Sequence, residues 1–175
     1  MIGNDIIDLR QSRIESNWRR KGFIEKLFTD TEKQLITNYH DPEIMVWLLW
    51  SMKEAAYKIY NRQTKVREYI PQKLSCSIIT LDKHIYGVVS CNGNKYYTKT
   101  LKTSKIIHTT AALIPEDLNN IVEIEKKGIV KTQNGIPYLY ISEKNTVTDV
   151  SISNHGRYEK IVMIEKKMIL PDFKN

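Results

Sequence analysis

Glu54 and Lys58 stand one helical turn apart in the segment Trp50-Ser51-Met52-Lys53-Glu54-Ala55-Ala56-Tyr57-Lys58, where one carboxylate and two ammonium groups interrupt an apolar run. Stripping water from an ionised side chain costs several kcal/mol unless a partner, a metal or a ligand replaces the hydration, so three such groups at fixed spacing point to a site. A helical turn of about 100° per residue lines Glu54 and Lys58 up with Trp47, Trp50 and Ser51 and turns Leu48, Met52, Ala55, Ala56 and Ile59 the other way. A bare Glu-to-Lys pair at this spacing is worth only about 0.3–0.5 kcal/mol and is common on surfaces. Asp5 shifts the balance. It sits among Ile2, Ile6, Ile7 and Leu9, the pattern of a strand buried on at least one face. If that strand packs beside the helix, Asp5 and Glu54 converge on one hard divalent cation, because Mg2+ takes one or two protein carboxylates and completes its shell with water and phosphate oxygens. Lys58 and Lys53 would then flank a phosphate. The alternative for Asp5 is a capping or salt-bridging acid.

The elements that must position these residues are legible from the flanking pattern. Met1 to Leu9 reads as a strand. Arg10 to Leu27 mixes Arg10, Arg13, Arg19, Arg20, Lys21 and Lys26 with Ile14, Trp18, Phe23, Ile24 and Leu27, which predicts a basic amphipathic helical region with its apolar side on the core. Thr29-Asp30-Thr31-Glu32 is a capping box and predicts a short helix to about Asn38. Asp41-Pro42 opens the next helix, with Asp capping the amides and Pro in the first turn, and no breaker follows before about Asn61. From Leu74 the period changes to two: Leu74 to Thr80, Ile85 to Cys91, Lys95 to Leu101 and Ile106 to Leu113 read as an antiparallel meander, with Asn92-Gly93 at a tight hairpin turn. Pro115 begins a loop. Gly135 and Pro137 precede three more expected strands, Tyr138 to Ser142, Val147 to Ser153 and Tyr158 to Ile164. The fold class is α+β, an antiparallel sheet packed against a long helix, with one domain over 1–175 and a loosely attached tail at 166–175.

The chain of 175 residues is 41% hydrophobic and 27% charged, ordinary for a globular fold, and no stretch reaches the roughly 20 apolar residues of a membrane span. An N-terminus with Asp5 inside its apolar run and no cationic head is unlike a secretory signal, which places the protein in the cytoplasm. Cys76 and Cys91, without clustered His, are expected as free thiols. With 27 Lys and Arg against 20 Asp and Glu, the net charge of +7 predicts an anionic partner, be it nucleic acid, a phosphorylated cofactor or an acidic protein.

The segments Gly3-Asn4-Asp5-Ile6-Ile7-Asp8-Leu9, Phe28-Thr29-x-x-Glu32 and Trp50-x-x-Lys53-Glu54-Ala55-x-x-Lys58, in this order, resemble the 4′-phosphopantetheinyl transferase superfamily. Gly135-Ile136-Pro137 and Val150-Ser151-Ile152-Ser153-Asn154-His155 are similar, more loosely, to the family's Gly-Lys-Pro and Ser-x-Ser-His segments. The resemblance implies that family's fold and transfer of the phosphopantetheine arm from coenzyme A to a serine of an acyl or peptidyl carrier protein, releasing adenosine 3′,5′-bisphosphate. It implies Mg2+ held by Asp5 and Glu54, with Glu54 helping to take the serine proton and Lys58 offsetting phosphate charge. Lys53 would contact a phosphate or support the site from behind it, and Ser153 and His155 would sit near the nucleotide phosphates or adenine of coenzyme A. Carrier proteins of this family are acidic, so Arg10, Arg13 and Arg20 form the expected docking surface, with a solvated basic face as the alternative.

Two kinds of departure matter. The larger members carry a second acid two residues after the first, where this chain has Ile7; its next acid, Asp8, matches the smaller, trimeric holo-acyl-carrier-protein synthase type and by strand alternation points away from Asp5. Asn154 stands where the family usually has His, Ile136 replaces the Lys of Gly-Lys-Pro, and the meander at 74–113 is longer than the small type needs, which leaves open a site shared between subunits or built in one chain. Two other readings compete: a coenzyme A or carrier binder without turnover, and a basic β-rich nucleic-acid module, with Tyr86, Tyr96 and Tyr97 near Lys95 and Lys99. The last explains none of the buried acids, so no nucleic acid is expected.

Overall fold

A Cβ on Gly3 would lie 1.9 Å from the carbonyl oxygen of Ala55, so only glycine lets the first strand, β1 (Ile2–Asp8), press directly on the long helix. This contact organises residues 1–141 and 145–165, which the computed structural model describes. Alternation from Gly3 through Asp5 to Ile7 puts all three on the face of β1 that meets the helix.

Asp8 caps α1 (Leu9–Glu15), and α2 (Phe23–Leu27) and α3 (Asp30–Asn38) follow before the long helix α4 (Pro42–Thr64). The expected helical region from Arg10 to Leu27 is therefore two helices. Ser16 leaves α1 in extended conformation, and Gly22, at φ +82°, takes the left-handed turn into α2. Phe23, Ile24 and Trp18 pack on the core as predicted, but Ile14 lies on the outside of the short α1 and is 71% exposed. The capping box at Thr29 forms in full: its hydroxyl accepts from the Glu32 N–H at 3.4 Å, and Glu32 Oε2 accepts from the Thr29 N–H at 2.8 Å. Asp41 caps α4 through the Ile44 N–H, as its sequence foretells, but the helix runs a turn-fraction past Asn61, to Thr64.

The meander supplies β2 (Ser75–Leu81), β3 (His84–Cys91), β4 (Asn94–Lys102) and β5 (Ile106–Ala112), each within two residues of expectation. With β1 they form one antiparallel sheet in the order β1-β5-β4-β3-β2. Its inner face, with Val89, Tyr96, Ile107 and Ala111, packs on Leu48, Met52, Ala55, Ala56 and Ile59 of α4, all at most 1% exposed. A second sheet orders β6 (Ile121–Glu123), β10 (Tyr158–Ile164), β9 (Thr146–His155), β8 (Pro137–Ile141) and β7 (Ile129–Lys131) as β6-β10-β9-β8-β7. The three-residue strands β6 and β7 are too short to leave a period in the sequence. Ser142 and the tail 166–175, for which a strand end and loose attachment are expected, lie outside the described residues.

The sheets meet along the edge of β1. Asn4, Ile6 and Asp8 donate their N–H groups to Ser151 Oγ, Ser153 Oγ and His155 Nδ1 at 2.9, 3.0 and 2.9 Å, so β9 runs parallel to β1 and pairs with it through side chains.

Candidate functional site

Asp5 and Glu54 line one cavity of about 340 Å³ at this seam, with Trp47, Trp50 and His155. Asp5 comes from the helix-facing side of β1 and Glu54 from the charged stripe of α4. Burial raises the pKa of Asp5 against the pull of Lys58 and the hydroxyls of Ser153 and Ser51. Glu54 is pushed up to about 7, first by burial and then by the charge of Asp5, against Lys58. Two carboxylates that oppose each other's ionisation in a poorly solvated place call for a cation. The only carboxylate oxygen of Asp5 with a partner is Oδ1, which accepts from the Ser153 hydroxyl at 3.1 Å; Oδ2 is buried without a partner among the described residues. The Ser51 hydroxyl donates to the backbone carbonyl of Asp5 at 3.4 Å and ties strand to helix.

Lys58 lies beside both acids. Burial lowers its pKa, and Asp5 and Glu54 raise it. Its ammonium donates to the carbonyls of Asn4 at 2.6 Å and Ile152 at 3.0 Å, bridging β1 to β9 and leaving one of three hydrogens. One turn further, Arg62 ties α4 to β8 and β9: its guanidinium donates to Asp149 Oδ1 at 2.9 Å and to the carbonyls of Pro137 and Val150 at 3.0 and 2.7 Å, and lies 4.8 Å over the Tyr138 ring. Arg62 is missed by a helix predicted to stop near Asn61. Its spacing from Glu54 and Lys58 along one stripe is the signal that marks it.

Lys53 is committed to protein partners. It leaves α4 about 100° around from Glu54. Its ammonium is 1% exposed and bonds Glu32 Oε2 at 2.7 Å and the carbonyls of Pro71 and Leu74 at 2.7 and 2.6 Å, which uses every hydrogen it has. Of the two roles expected for Lys53, these contacts suit support of the site from behind it rather than a hold on phosphate.

Ser153 and His155 reach the seam but meet protein. Ser153 holds the Ile6 N–H and Asp5 Oδ1. His155 accepts the Asp8 N–H on Nδ1, which places its proton on Nε2, 3.3 Å from Glu15 Oε2. Asp8 turns away from Asp5, as alternation requires. It caps α1 and takes the Arg157 guanidinium at 2.8 Å on each oxygen, which holds its carboxyl well below the usual range.

Glu54 and Asn154 also line a second cavity, of about 520 Å³, further along α4's charged stripe toward Arg62. Its cations are Lys58, Arg62, Arg67 and Lys131, and Ile136 contributes a buried apolar wall where the family's Lys would stand. A third hollow, of about 500 Å³, joins the acid cavity through Ser16, Trp47 and Trp50 and is rimmed by Arg20, Lys21 and Lys26 around Phe23 and Tyr69. Of the basic residues expected to dock a partner, Arg20 lies on this hollow, with its guanidinium 5.4 Å over the Phe23 ring. Arg10 and Arg13 are exposed on α1, outside it, and Arg13 is held by Glu43 at 3.2 Å.

Among the described residues no cluster of three or more His, Cys, Asp or Glu gathers. The pair Asp5 and Glu54 still suits Mg2+, which needs no more than one or two protein carboxylates, and the unpartnered Oδ2 is the kind of donor such an ion takes. No helix among the described residues is long and apolar enough to cross a membrane.

Two antiparallel sheets joined at β1, the first packed on one long helix, with an acid pair and a lysine at the seam, define a mixed α+β fold. The chain belongs to the 4′-phosphopantetheinyl transferase superfamily, whose family model matches residues 1–112. Among curated proteins, none matches its sequence.

Proposed function

We propose that this protein transfers 4′-phosphopantetheine from coenzyme A to a serine of an apo acyl or peptidyl carrier protein, in a single α+β unit. The observation that carries the reading is the meeting of Asp5 with Glu54 and Lys58, about fifty positions further along the chain, between two cavities of which one is rich in cations. Phosphoryl transfer asks chiefly for positioning and for neutralisation of oxygen charge.

In this reading the nucleotide end of coenzyme A occupies the cavity lined by Lys58, Arg62, Arg67 and Lys131, and its pyrophosphate lies at the acid pair. Asp5 and Glu54 would hold Mg2+, which would supply neutralisation of the charge developing on the phosphate oxygens. The serine oxygen forms a bond to the phosphorus that carries pantetheine, and the bond from that phosphorus to the nucleotide's bridging oxygen breaks. Glu54 takes the serine proton directly or through water, and Lys58 offsets charge on the leaving adenosine 3′,5′-bisphosphate. Arg20 attracts the acidic carrier to the hollow that opens on the acid pair, with Arg10 and Arg13 exposed on α1 outside it.

The test is incubation with coenzyme A, Mg2+ and an apo carrier protein, read by mass spectrometry. The carrier gains one phosphopantetheine. Ile136 and Asn154 favour a second reading, a coenzyme A binder without turnover, and coenzyme A binding with no mass gain on any of several carriers would select it.

A further inference from the structure

β1 is an edge strand, and its outward N–H groups need partners. β9 supplies them from side chains at alternate positions, Ser151, Ser153 and His155, instead of from its backbone. The Ser151 contact ends at the β1 backbone, and His155 passes from it to Glu15 on α1, with Nε2 3.3 Å from Oε2. The middle one reaches Asp5. Having accepted the Ile6 N–H at 3.0 Å, the Ser153 hydroxyl directs its own hydrogen to Asp5 Oδ1 at 3.1 Å. Ser153 is 6% exposed, so water does not compete for either bond. One oxygen of Asp5 is thereby fixed, and Oδ2 is left as the oxygen without a partner among the described residues.

We infer that Ser153 is a positioning residue for Asp5: it fixes the carboxylate so that Oδ2 is the oxygen offered to a hard divalent cation, and it sets the cation affinity of the Asp5 and Glu54 pair without contacting coenzyme A. This rests on the metal-holding role proposed for those two acids. Ligating carboxylates are themselves held by hydrogen bonds from outside the metal's shell, and loss of such a bond weakens metal binding by about 10- to 100-fold. Ser151 is an internal control. It makes the same kind of contact to β1, at Asn4, but does not touch Asp5.

The experiment is titration of the full chain with Mn2+, followed by electron paramagnetic resonance, with no coenzyme A or carrier present. Ser153→Ala is expected to weaken Mn2+ binding about 10- to 100-fold. Ser153→Cys, which keeps the volume but has only a weak donor, should weaken it too and covers the case in which Ser153→Ala does not fold. Ser153→Thr, which keeps the hydroxyl, should restore binding, and Ser151→Ala should leave it within about twofold. Affinity of the metal-free protein for coenzyme A, measured in chelator, should be the same for Ser153→Ala or Ser153→Cys as for the parent. Unchanged Mn2+ affinity in both Ser153→Ala and Ser153→Cys overturns the inference. So does an equal loss in Ser151→Ala, which would mean general loosening of the seam, and so does weakened metal-free coenzyme A binding, which would mean direct contact. If the parent chain binds no Mn2+ at all, the metal-holding role of Asp5 and Glu54 fails first and takes this inference with it.

Discussion

Lys53 and Glu32 form an ion pair at 2.7 Å with side chains only 1% and 0% exposed. Glu32 accepts at the same time from the backbone N–H groups of Thr29 and Cys76, at 2.8 and 2.7 Å, so this one carboxylate joins α3, α4 and β2. Removing one partner of a buried pair strands the other's charge and costs about 3–5 kcal/mol. Lys53→Met is therefore expected to lower unfolding stability by that amount in denaturant titration, while the surviving folded fraction keeps its affinity for coenzyme A. Full stability with lost coenzyme A affinity would return Lys53 to the phosphate.

Glu54→Gln separates function from fold in the opposite direction. The carboxylate of Glu54 is opposed by burial and by Asp5, so its removal relieves a cost of folding and leaves the apolar face of α4 intact. The expected outcome is a melting temperature equal to or above that of the parent. Transfer to the carrier should fall by at least the roughly 10²- to 10⁴-fold that acid-base help supplies, and by more where the cation is lost too. Normal turnover in this variant would remove Glu54 from the reaction.

The contrast between these two residues shows what can be read from sequence. Capping at Thr29 and Asp41 and the turn at Asn92 and Gly93, with φ of +49° and +81°, are decided by a few neighbouring residues and stand in the chain for anyone to see. That Glu54 and Lys58 share a stripe follows from helical period alone. That Lys53 turns inward does not, because its partner Glu32 looks from sequence like half of a capping box and nothing more. The partners of β1 are harder still: Ser151, Ser153 and His155 lie 147 residues from the groups they bind, through contacts that no local pattern encodes. The resemblance places Ser153 and His155 near the site. Only the packed structure shows that they hold the strand that carries Asp5.

His108, on β5, gives the fold a pH dependence of its own. Its ring lies 3.5 Å from Asn4 Nδ2, and burial, with repulsion from Lys160 on β10 and Lys58 on α4, lowers its pKa to about 4 against the smaller pull of Glu123 on β6. The folded state binds this proton less readily than the unfolded chain, whose His titrates near 6.5. Stability from this group is thus complete above about pH 6.5 and is lost as pH falls toward about 4, by up to about 3 kcal/mol. Denaturant titrations of the parent and of His108→Gln across that window should differ by that slope. Parallel curves would show that His108 titrates normally.

The hollow beside the acid pair ranks the basic residues by what they touch. Arg20 and Lys26 rim it, lying over the rings of Phe23 and Tyr69 at 5.4 and 5.3 Å, whereas Arg13 is committed to Glu43. Cations held against aromatic faces lose less freedom on meeting a carboxylate than free lysines do. An acidic carrier protein steered to this rim brings its serine to the cavity that Asp5 and Glu54 share. Arg20→Glu with Lys26→Glu should raise the carrier's KM about tenfold at low salt, with kcat nearly unchanged and the difference fading as ionic strength screens the rim. Arg13→Glu should change KM far less, since Glu43 already takes up its charge. The reverse ranking, with Arg13 dominant and Arg20 and Lys26 silent, would move the carrier from the α2 hollow to the face of α1.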